Sequence, residues 1–258
     1  MTKRSTWALP YAIFMVLFVA LPLIIIFLYA FQDSSGNFSL ANFSKFINDA
    51  DTIGTFALSL EVAIENTLIC ILLGYPAAWI LANKKLNRSA VTIVLFILPM
   101  WINALMRTLA TAELFHVLGM ELGKETLIIG MVYDYLPFMI YPIYNVMQKM
   151  DHSYIEAAQD LGANPMTVFK KVVVPLSMPG VMSGVMMVFM PTISTFAIAE
   201  LLTMNNIKLF GTTIQENINN GMWNYGAALS FIMLVIIFVT NLFSDDEDER
   251  VSNEGGII

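Results

Sequence analysis

Four acidic side chains interrupt long apolar stretches of the sequence: Glu61, Glu65, Asp134 and Glu200. A charged side chain is costly to place in a membrane-spanning helix, so such residues usually serve a function. Glu61 and Glu65 are four residues apart and therefore share one helix face. Arg107 is the only basic residue that we expect at a similar depth. The surplus of carboxylates predicts an electronegative vestibule that suits a cationic solute.

Aromatic side chains accompany these acids. Tyr133 and Tyr135 flank Asp134, and Trp101 lies at the end of another apolar run. The face of an aromatic ring attracts cations. We therefore expect carboxylates and rings to line a solute path together. The candidate path residues are Asp134, Tyr135, Glu65, Glu61, Trp101 and Glu200.

The sequence leaves simpler interpretations of the same residues open. Glu61 and Glu200 lie near the ends of apolar stretches, where they could face the membrane surface. Glu65 or Asp134 could pair with Arg107 or hydrogen-bond to a neighbouring helix. The acids therefore define a hypothesis about the path and do not establish it.

The sequence contains no motif for phosphate binding, hydrolysis or metal ligation. It has no G-x-x-x-x-G-K-[ST], H-E-x-x-H or G-x-S-x-G pattern. The single cysteine, Cys70, lies in an apolar run, and His116 and His152 fall in separate polar segments. We expect neither a catalytic centre nor a metal or cofactor in this chain. ATP-driven work would require a second protein.

Composition predicts a membrane protein. The chain is 57% hydrophobic and 13% charged, whereas soluble domains are roughly 25% charged. A spanning helix needs about 20 mostly apolar residues. We expect one all-α domain over residues 1–243, with Pro175 and Pro179 breaking the chain before its fifth span. The six predicted spans are about 8–31, 56–82, 90–111, 127–147, 180–202 and 226–243.

Lysine and arginine are distributed unequally between the two sides of the predicted spans. One side holds nine of them and the other four. Because basic residues concentrate on the cytoplasmic side, both termini and the polar segment 148–179 are predicted to be cytoplasmic. Residues 244–258 form an acidic end that we expect to be a disordered cytoplasmic tail. The nine are Lys3, Arg4, Lys84, Lys85, Arg88, Lys149, Lys170, Lys171 and Arg250, against Lys45, Arg107, Lys124 and Lys208.

The cytoplasmic segment 148–179 has an internal pattern. Tyr154 to Leu161 favours a short helix, and Gly162 tolerates the positive φ with which helices commonly end. Pro165 suits the first turn of a following helix. This order predicts two helices joined by a sharp turn. Such a compact projection suits insertion into a groove on a partner protein.

The segment resembles the EAA signature of ABC-importer permeases. That signature is Glu-Ala-Ala, three residues, Gly, nine residues, and then Ile-x-Leu-Pro. Here Glu156, Ala157 and Ala158 precede Gly162 and Pro175 at this spacing, with valines at positions 172 and 174 replacing Ile and Leu.

Further segments resemble spermidine/putrescine-import permeases, and the resemblance covers roughly residues 8–243. The run Phe189-Met190-Pro191, with the Glu200-Leu201-Leu202 region after it, resembles the B-type more than the C-type permease subunit. The other matching segments are Gly74–Ala78, Leu98–Trp101, Arg107–Thr108, Tyr135–Met139 and Pro175–Gly180.

The resemblance implies a type I ABC importer (MetI-like) permease fold in the bacterial cytoplasmic membrane. It implies that Glu156, Ala157, Ala158, Gly162 and Pro175 belong to the loop that docks on a cytoplasmic ATPase. Two copies of that ATPase would bind ATP and Mg, and this chain would bind no cofactor of its own. A second permease, an extracytoplasmic polyamine-binding protein and membrane lipid would complete the assembly, which would work by alternating access.

Two alternatives stay open from the sequence. The same kind of permease could carry another solute, such as ferric ion or a phosphonate. A self-contained secondary transporter or channel would also lack a phosphate loop, but it would not need the EAA-type segment.

Overall fold

The computed structural model describes residues 9–33, 35–83 and 90–254. Regular structure in these ranges is helical, apart from an isolated β-bridge between Gln32 and Phe38. This confirms the all-α prediction. In chain order the helices are α1 Leu9–Ala30, α2 Ala41–Asn48, α3 Ala50–Ala82, α4 Ala90–Ile97, α5 Ala104–Val117, α6 Lys124–Lys149, α7 Ser153–Asp160, α8 Pro165–Ser194, α9 Ala197–Thr203, α10 Phe210–Asn219 and α11 Trp223–Glu254.

Five helices are long and apolar enough to cross a membrane: α1, α3, α6, α8 and the part of α11 from Trp223 to Asn241. A sixth span is available if α4 and α5 are counted as one bent pair. Each of the six predicted spans therefore has a helical counterpart among the described residues.

The third span is broken where the sequence predicts one continuous helix over 90–111. The segments Val91–Trp101 and Ala104–Val117 meet at 95°. Ile102 has an extended backbone between them, and Asn103 begins α5 because its Oδ1 accepts the N–H groups of Leu105 and Met106. A new N-cap of this kind starts a helix in a new direction.

The fifth span is continuous where the sequence predicts breaks. The helix α8 runs from Pro165 to Ser194 through Pro175 and Pro179, so the predicted break at these two prolines is wrong. Its turn over Phe169–Val173 is π-helical. Pro175 has no N–H group to donate to the preceding turn of an α-helix. The π-turn lies just before Pro175 and changes the hydrogen-bond spacing there. The helix then ends at Ser194, before the separate short helix α9.

The core is formed by α3, α6 and α8, which pack against one another. Small residues allow close contact between them. A Cβ at Gly180 would lie 2.9 Å from the carbonyl oxygen of Pro142, and one at Gly184 would lie 2.7 Å from Sδ of Met139. Small residues at helix contacts are typical of membrane proteins, where close backbone approach drives packing. Cys70 is fully buried in this core, as expected from its apolar surroundings.

The remaining helices lie around this core. The first helix, α1, packs mainly on α11 and has no buried residue before Ala30. The backbone of α11 stays helical to Glu254, which differs from the disordered tail that we expect from residue 244. Asp, Glu and Arg do not interrupt a helix as Gly or Pro would. Residues 255–258, and the basic residues at positions 3, 4, 84, 85 and 88, lie outside the described ranges.

Candidate functional site

The polar segment between α6 and α8 folds as a helix, a tight turn and a second helix, as predicted. The first helix, α7, is closed by N–H groups of Gly162 and Ala163 that donate to carbonyls of Gln159 and Ala158. Gly162 has φ +81°, the left-handed conformation that glycine adopts without a steric cost. Asn164 then caps α8, since its Oδ1 accepts the N–H of Thr167 at 2.8 Å.

This segment presents an exposed surface. Leu161, at the end of α7, is 90% exposed, and Tyr154 and Met166 are also exposed. Glu156 and Ala157 lie on the same exposed helix. These exposed apolar side chains, close together along the chain, make the segment a candidate contact surface for another protein.

An ionised carboxylate supports the beginning of α7. Asp151 Oδ1 accepts the N–H of Ser153 at 2.9 Å, and this hydrogen bond lowers the pKa of Asp151 below its ordinary value. A negative charge at this position also interacts favourably with the helix dipole.

The inner side of the segment is tied to the core. Phe169 packs edge-on against the rings of Tyr75 and Trp79, with centroids 5.9 and 5.5 Å away. The Tyr75 hydroxyl lies 2.8 Å from Ser177 Oγ on α8. Between α7 and the ends of α3 and α6 lies a cavity of about 470 Å³, and Glu156 lines it. Because α7 packs against the beginning of α8, a displacement of α7 can move α8 and, through Phe169, also α3.

A buried ion pair joins the broken third span to α6. Arg107 Nη2 lies 3.2 Å from Asp134 Oδ1 and also donates to the Asp134 backbone carbonyl. The hydroxyl of Thr108 donates to Asp134 Oδ2 at 2.8 Å. Arg107 is 6% exposed and Asp134 1% exposed. Pairing with Arg107 was one of the alternatives for Asp134, and the structure shows that pairing.

A second cluster lies nearer the beginning of α6. Lys124 Nζ lies 2.7 Å from Glu61 Oε1 and 3.1 Å from Glu65 Oε1. The expectation that Arg107 is the only cation near the acids is therefore wrong, because Lys124 bridges the two glutamates. The side chains are about two-fifths to one-half exposed. The cluster carries one net negative charge, and other cations have access to it.

The other candidate path residues lie in different surroundings. Trp101 is 88% exposed at the break of the third span, and Glu200 is half-buried on α9. Tyr135 is buried, and its hydroxyl interacts with Thr195. The structure thus brings Glu61 and Glu65 together, but Asp134 and Tyr135 are inside the helix packing.

Sequence reasoning missed three partners. Lys124 and Thr108 complete the two charged clusters, and Asn66 donates to Thr192 Oγ1 at 2.8 Å between α3 and α8. Signals for two of them were present: Lys124 directly precedes the fourth apolar stretch, and Asn66 is a polar residue inside the second. Among the described residues, no group of His, Cys, Asp and Glu could hold a metal ion.

Comparison with known proteins identifies relatives across most of the chain. Residues 70–252 match the family described as binding-protein-dependent transport system inner membrane component. This match includes the segment between α6 and α8.

Individual relatives are similar over about three quarters of their length. The chain is 32% identical over 218 residues to the spermidine/putrescine transport system permease protein PotB of Salmonella typhimurium, covering 78% of this chain and 76% of the relative. PotB of Escherichia coli K12 is also 32% identical, with 78% and 79% covered. PotB of Haemophilus influenzae is 33% identical over 203 residues, with 70% and 71% covered.

Solved structures with the same fold include a bacterial ABC transporter involved in the import of the acidic polysaccharide alginate. Its matching chain has a TM-score of 0.75 and 16% identity, with 95% of this chain and 98% of that chain covered. At this identity the likeness shows the fold alone. The fold, the apolar helices and the sequence relatives agree that this multi-pass membrane protein belongs to the family of binding-protein-dependent transport system inner membrane components.

Proposed function

We propose that this chain is the permease subunit of an ATP-driven importer of spermidine or putrescine. The identity of 32% with PotB proteins over 218 residues supports this cargo most directly. The exposed glutamates support it independently, because a protonated amine can interact with carboxylates in the way that Lys124 does.

Energy for transport would come from a partner. The complete importer would contain a second permease, two copies of a cytoplasmic ATPase that binds ATP and Mg, and an extracytoplasmic polyamine-binding protein. Glu156, Ala157, Ala158 and Gly162 would form the docking surface for the ATPase, and Pro175 would follow it in α8. The exposed Leu161 and the acidic Glu156 support this role.

Movement of the docking segment would drive alternating access. Closure of the ATPase dimer would displace α7, which packs against the beginning of α8. The α8 residue Phe169 in turn contacts α3, and α8 continues into the spans. The cavity beneath α7 leaves room for this displacement. The expected result is opening of the path toward the cytoplasm.

The path would use exposed carboxylates and rings. Glu61, Glu65, Glu200 and Trp101 are accessible enough to meet an amine. Asp134 and Tyr135 would reach the path only after the helices rearrange. Other permeases carry other solutes, so ferric ion and a phosphonate are the comparison cargoes.

Uptake by cells that express the whole importer tests the proposal. The gene and those of its partners are expressed in a strain without polyamine uptake, and radiolabelled spermidine and putrescine are supplied. We expect uptake that depends on this chain and that neither ferric ion nor a phosphonate reduces. Equal uptake with and without the chain would contradict the proposal.

Charge reversal separates coupling from assembly. Glu156→Lys should lower uptake per ATP by about tenfold, because it removes one charge-assisted contact at the docking surface. The matched control is Asp160→Lys, which makes the same charge change on α7 but does not line the cavity. Purified complexes are compared for subunit content, ATP hydrolysis and uptake. Normal uptake in Glu156→Lys would rule out the coupling role.

A further inference from the structure

Arg107 has hydrogen-bond donors that the described residues leave unused. Its Nε and Nη1 atoms are buried and have no hydrogen-bond partner, and neither has Asp134 Oδ1, although Nη2 lies 3.2 Å from that oxygen. Buried donors without an acceptor are costly, and in a membrane no water is present to satisfy them. The N–H groups on Nε and Nη1 outnumber the lone pairs of Asp134 Oδ1, so at least one N–H group still needs an acceptor from outside the described residues.

A cavity lies beside these donors. It has a volume of about 620 Å³ and is bounded by one face of α5 and by Ile129 and Tyr133 of α6, with Arg107 in its wall. The Tyr133 ring stands over the guanidinium, whose Cζ is 5.7 Å from the ring centroid. Nε and Nη1 are themselves buried, so an incoming group would reach them only if side chains in the cavity wall move, among them the half-exposed Tyr133.

The cargo does not supply the missing acceptor. A protonated amine has donors and no acceptor, as Lys does, so it cannot satisfy guanidinium N–H groups. A lipid headgroup is also unsuitable because of depth. Asp134 lies about 15 Å along α6 from Lys124 and about 22 Å from Lys149, at 1.5 Å per residue. Only acyl chains reach such a depth, and they have no acceptor.

The second permease of the proposed importer is the occupant that fits. The rim of the cavity is apolar and exposed, with Met106 66% exposed and Ile102 and Leu114 also exposed. Because Arg107 and Asp134 already neutralise each other, a neutral acceptor adds no uncompensated charge. A side-chain amide, a hydroxyl or a backbone carbonyl meets this condition.

We propose that Ile102 and the cavity-lining face of α5 from Met106 to Leu114 form the contact surface for the second permease, and that Arg107 donates to a neutral oxygen of that subunit. This inference rests on the proposed function, since it requires an importer with two permeases. Family membership alone does not select this face of the molecule.

Photo-crosslinking in the intact complex tests the surface. The photoreactive residue p-benzoylphenylalanine replaces Met106, and in a matched control it replaces Leu72, which is 71% exposed on α3. We expect position 106 to form an adduct whose peptides are those of the second permease, and position 72 to form none. If the complex transports but position 106 forms no such adduct, the proposed contact surface is wrong, while the proposed function is unaffected.

A double substitution tests the role of Arg107. Arg107→Leu with Asp134→Leu removes both charges together, so no lone charge is left buried. We expect association with the second permease to weaken by about 3- to 20-fold, the effect of one interhelical hydrogen bond in a membrane. Unchanged association would show that the pair serves this chain only. If the wild-type complex contains no second permease, the proposed function fails, and this surface fails with it.

Discussion

At the scale of single residues, the charged groups in the spans differ in how completely they are paired. Asp134 is buried and receives contacts from Arg107 and Thr108. Lys124 is shared by two partly exposed glutamates. Exposed pairs contribute little to stability, whereas loss of one partner from a buried pair leaves a charge without compensation. The first cluster therefore serves mainly structure, and the second is accessible to cations.

Arg107→Leu should destabilise the chain more than the double substitution Arg107→Leu with Asp134→Leu. Breaking a buried pair costs about 3–5 kcal/mol, while replacing both partners by apolar residues costs much less. The midpoint of thermal unfolding in detergent, measured on this chain alone, gives the comparison. Equal losses of stability would mean that Asp134 finds another partner.

At the scale of elements, the helix–turn–helix segment depends on one backbone conformation. Gly162 adopts φ +81°, and a Cβ at that position would meet no atom within 4 Å. Within this chain, any effect of substitution on stability therefore comes from backbone strain and not from a clash. The fifth span instead depends on close packing, because the contacts at Gly180 and Gly184 limit the size of the side chain.

Gly162→Ala should destabilise the turn by about 1 kcal/mol, because alanine avoids the left-handed region. Gly162→Asn is the matched control, since asparagine tolerates that conformation better. We expect lower uptake with Gly162→Ala than with Gly162→Asn at equal amounts of assembled complex. The same uptake in both variants would mean that the turn does not require a left-handed residue.

Gly180→Ala should destabilise the core by about 1–3 kcal/mol through overpacking. The added methyl group would meet backbone atoms of Pro142 and Ile143 at 2.9 and 3.0 Å, which cannot move independently of α6. Gly54→Ala on α3 meets nothing within 4 Å and serves as the control. Thermal unfolding of the two variants should differ, with only Gly180→Ala showing a lower midpoint.

At the scale of the whole molecule, three closely packed helices connect two ends of different chemistry. One end has the exposed segment around Leu161, and the other has Lys124 with its two glutamates. Since α3, α6 and α8 all pack together, displacement of one end affects the other. This arrangement suits a subunit that transmits movement from a cytoplasmic partner to a solute path.

The predicted orientation places Leu161 in the cytoplasm and Leu118 outside. Single cysteines at these exposed positions can be compared directly, because the native Cys70 is fully buried. A thiol reagent that cannot cross membranes should label Leu118→Cys in intact cells and Leu161→Cys only after the cells are opened. Labelling in the reverse order would show that the distribution of basic residues gives the wrong topology.

Local chemistry along the chain was sufficient to predict six apolar spans, the short helix before Gly162 and the new helix that begins at Pro165. Each of these features depends on residues close together in sequence. Only the tertiary structure decided that Asp134 pairs with Arg107, that Lys124 bridges Glu61 and Glu65, and that the third span bends while the fifth continues through Pro175. These outcomes depend on which helix faces meet, since the charged partners are 27 to 63 residues apart. Apolar periodicity does not determine which of these distant residues meet, because many helix arrangements bury the same apolar residues.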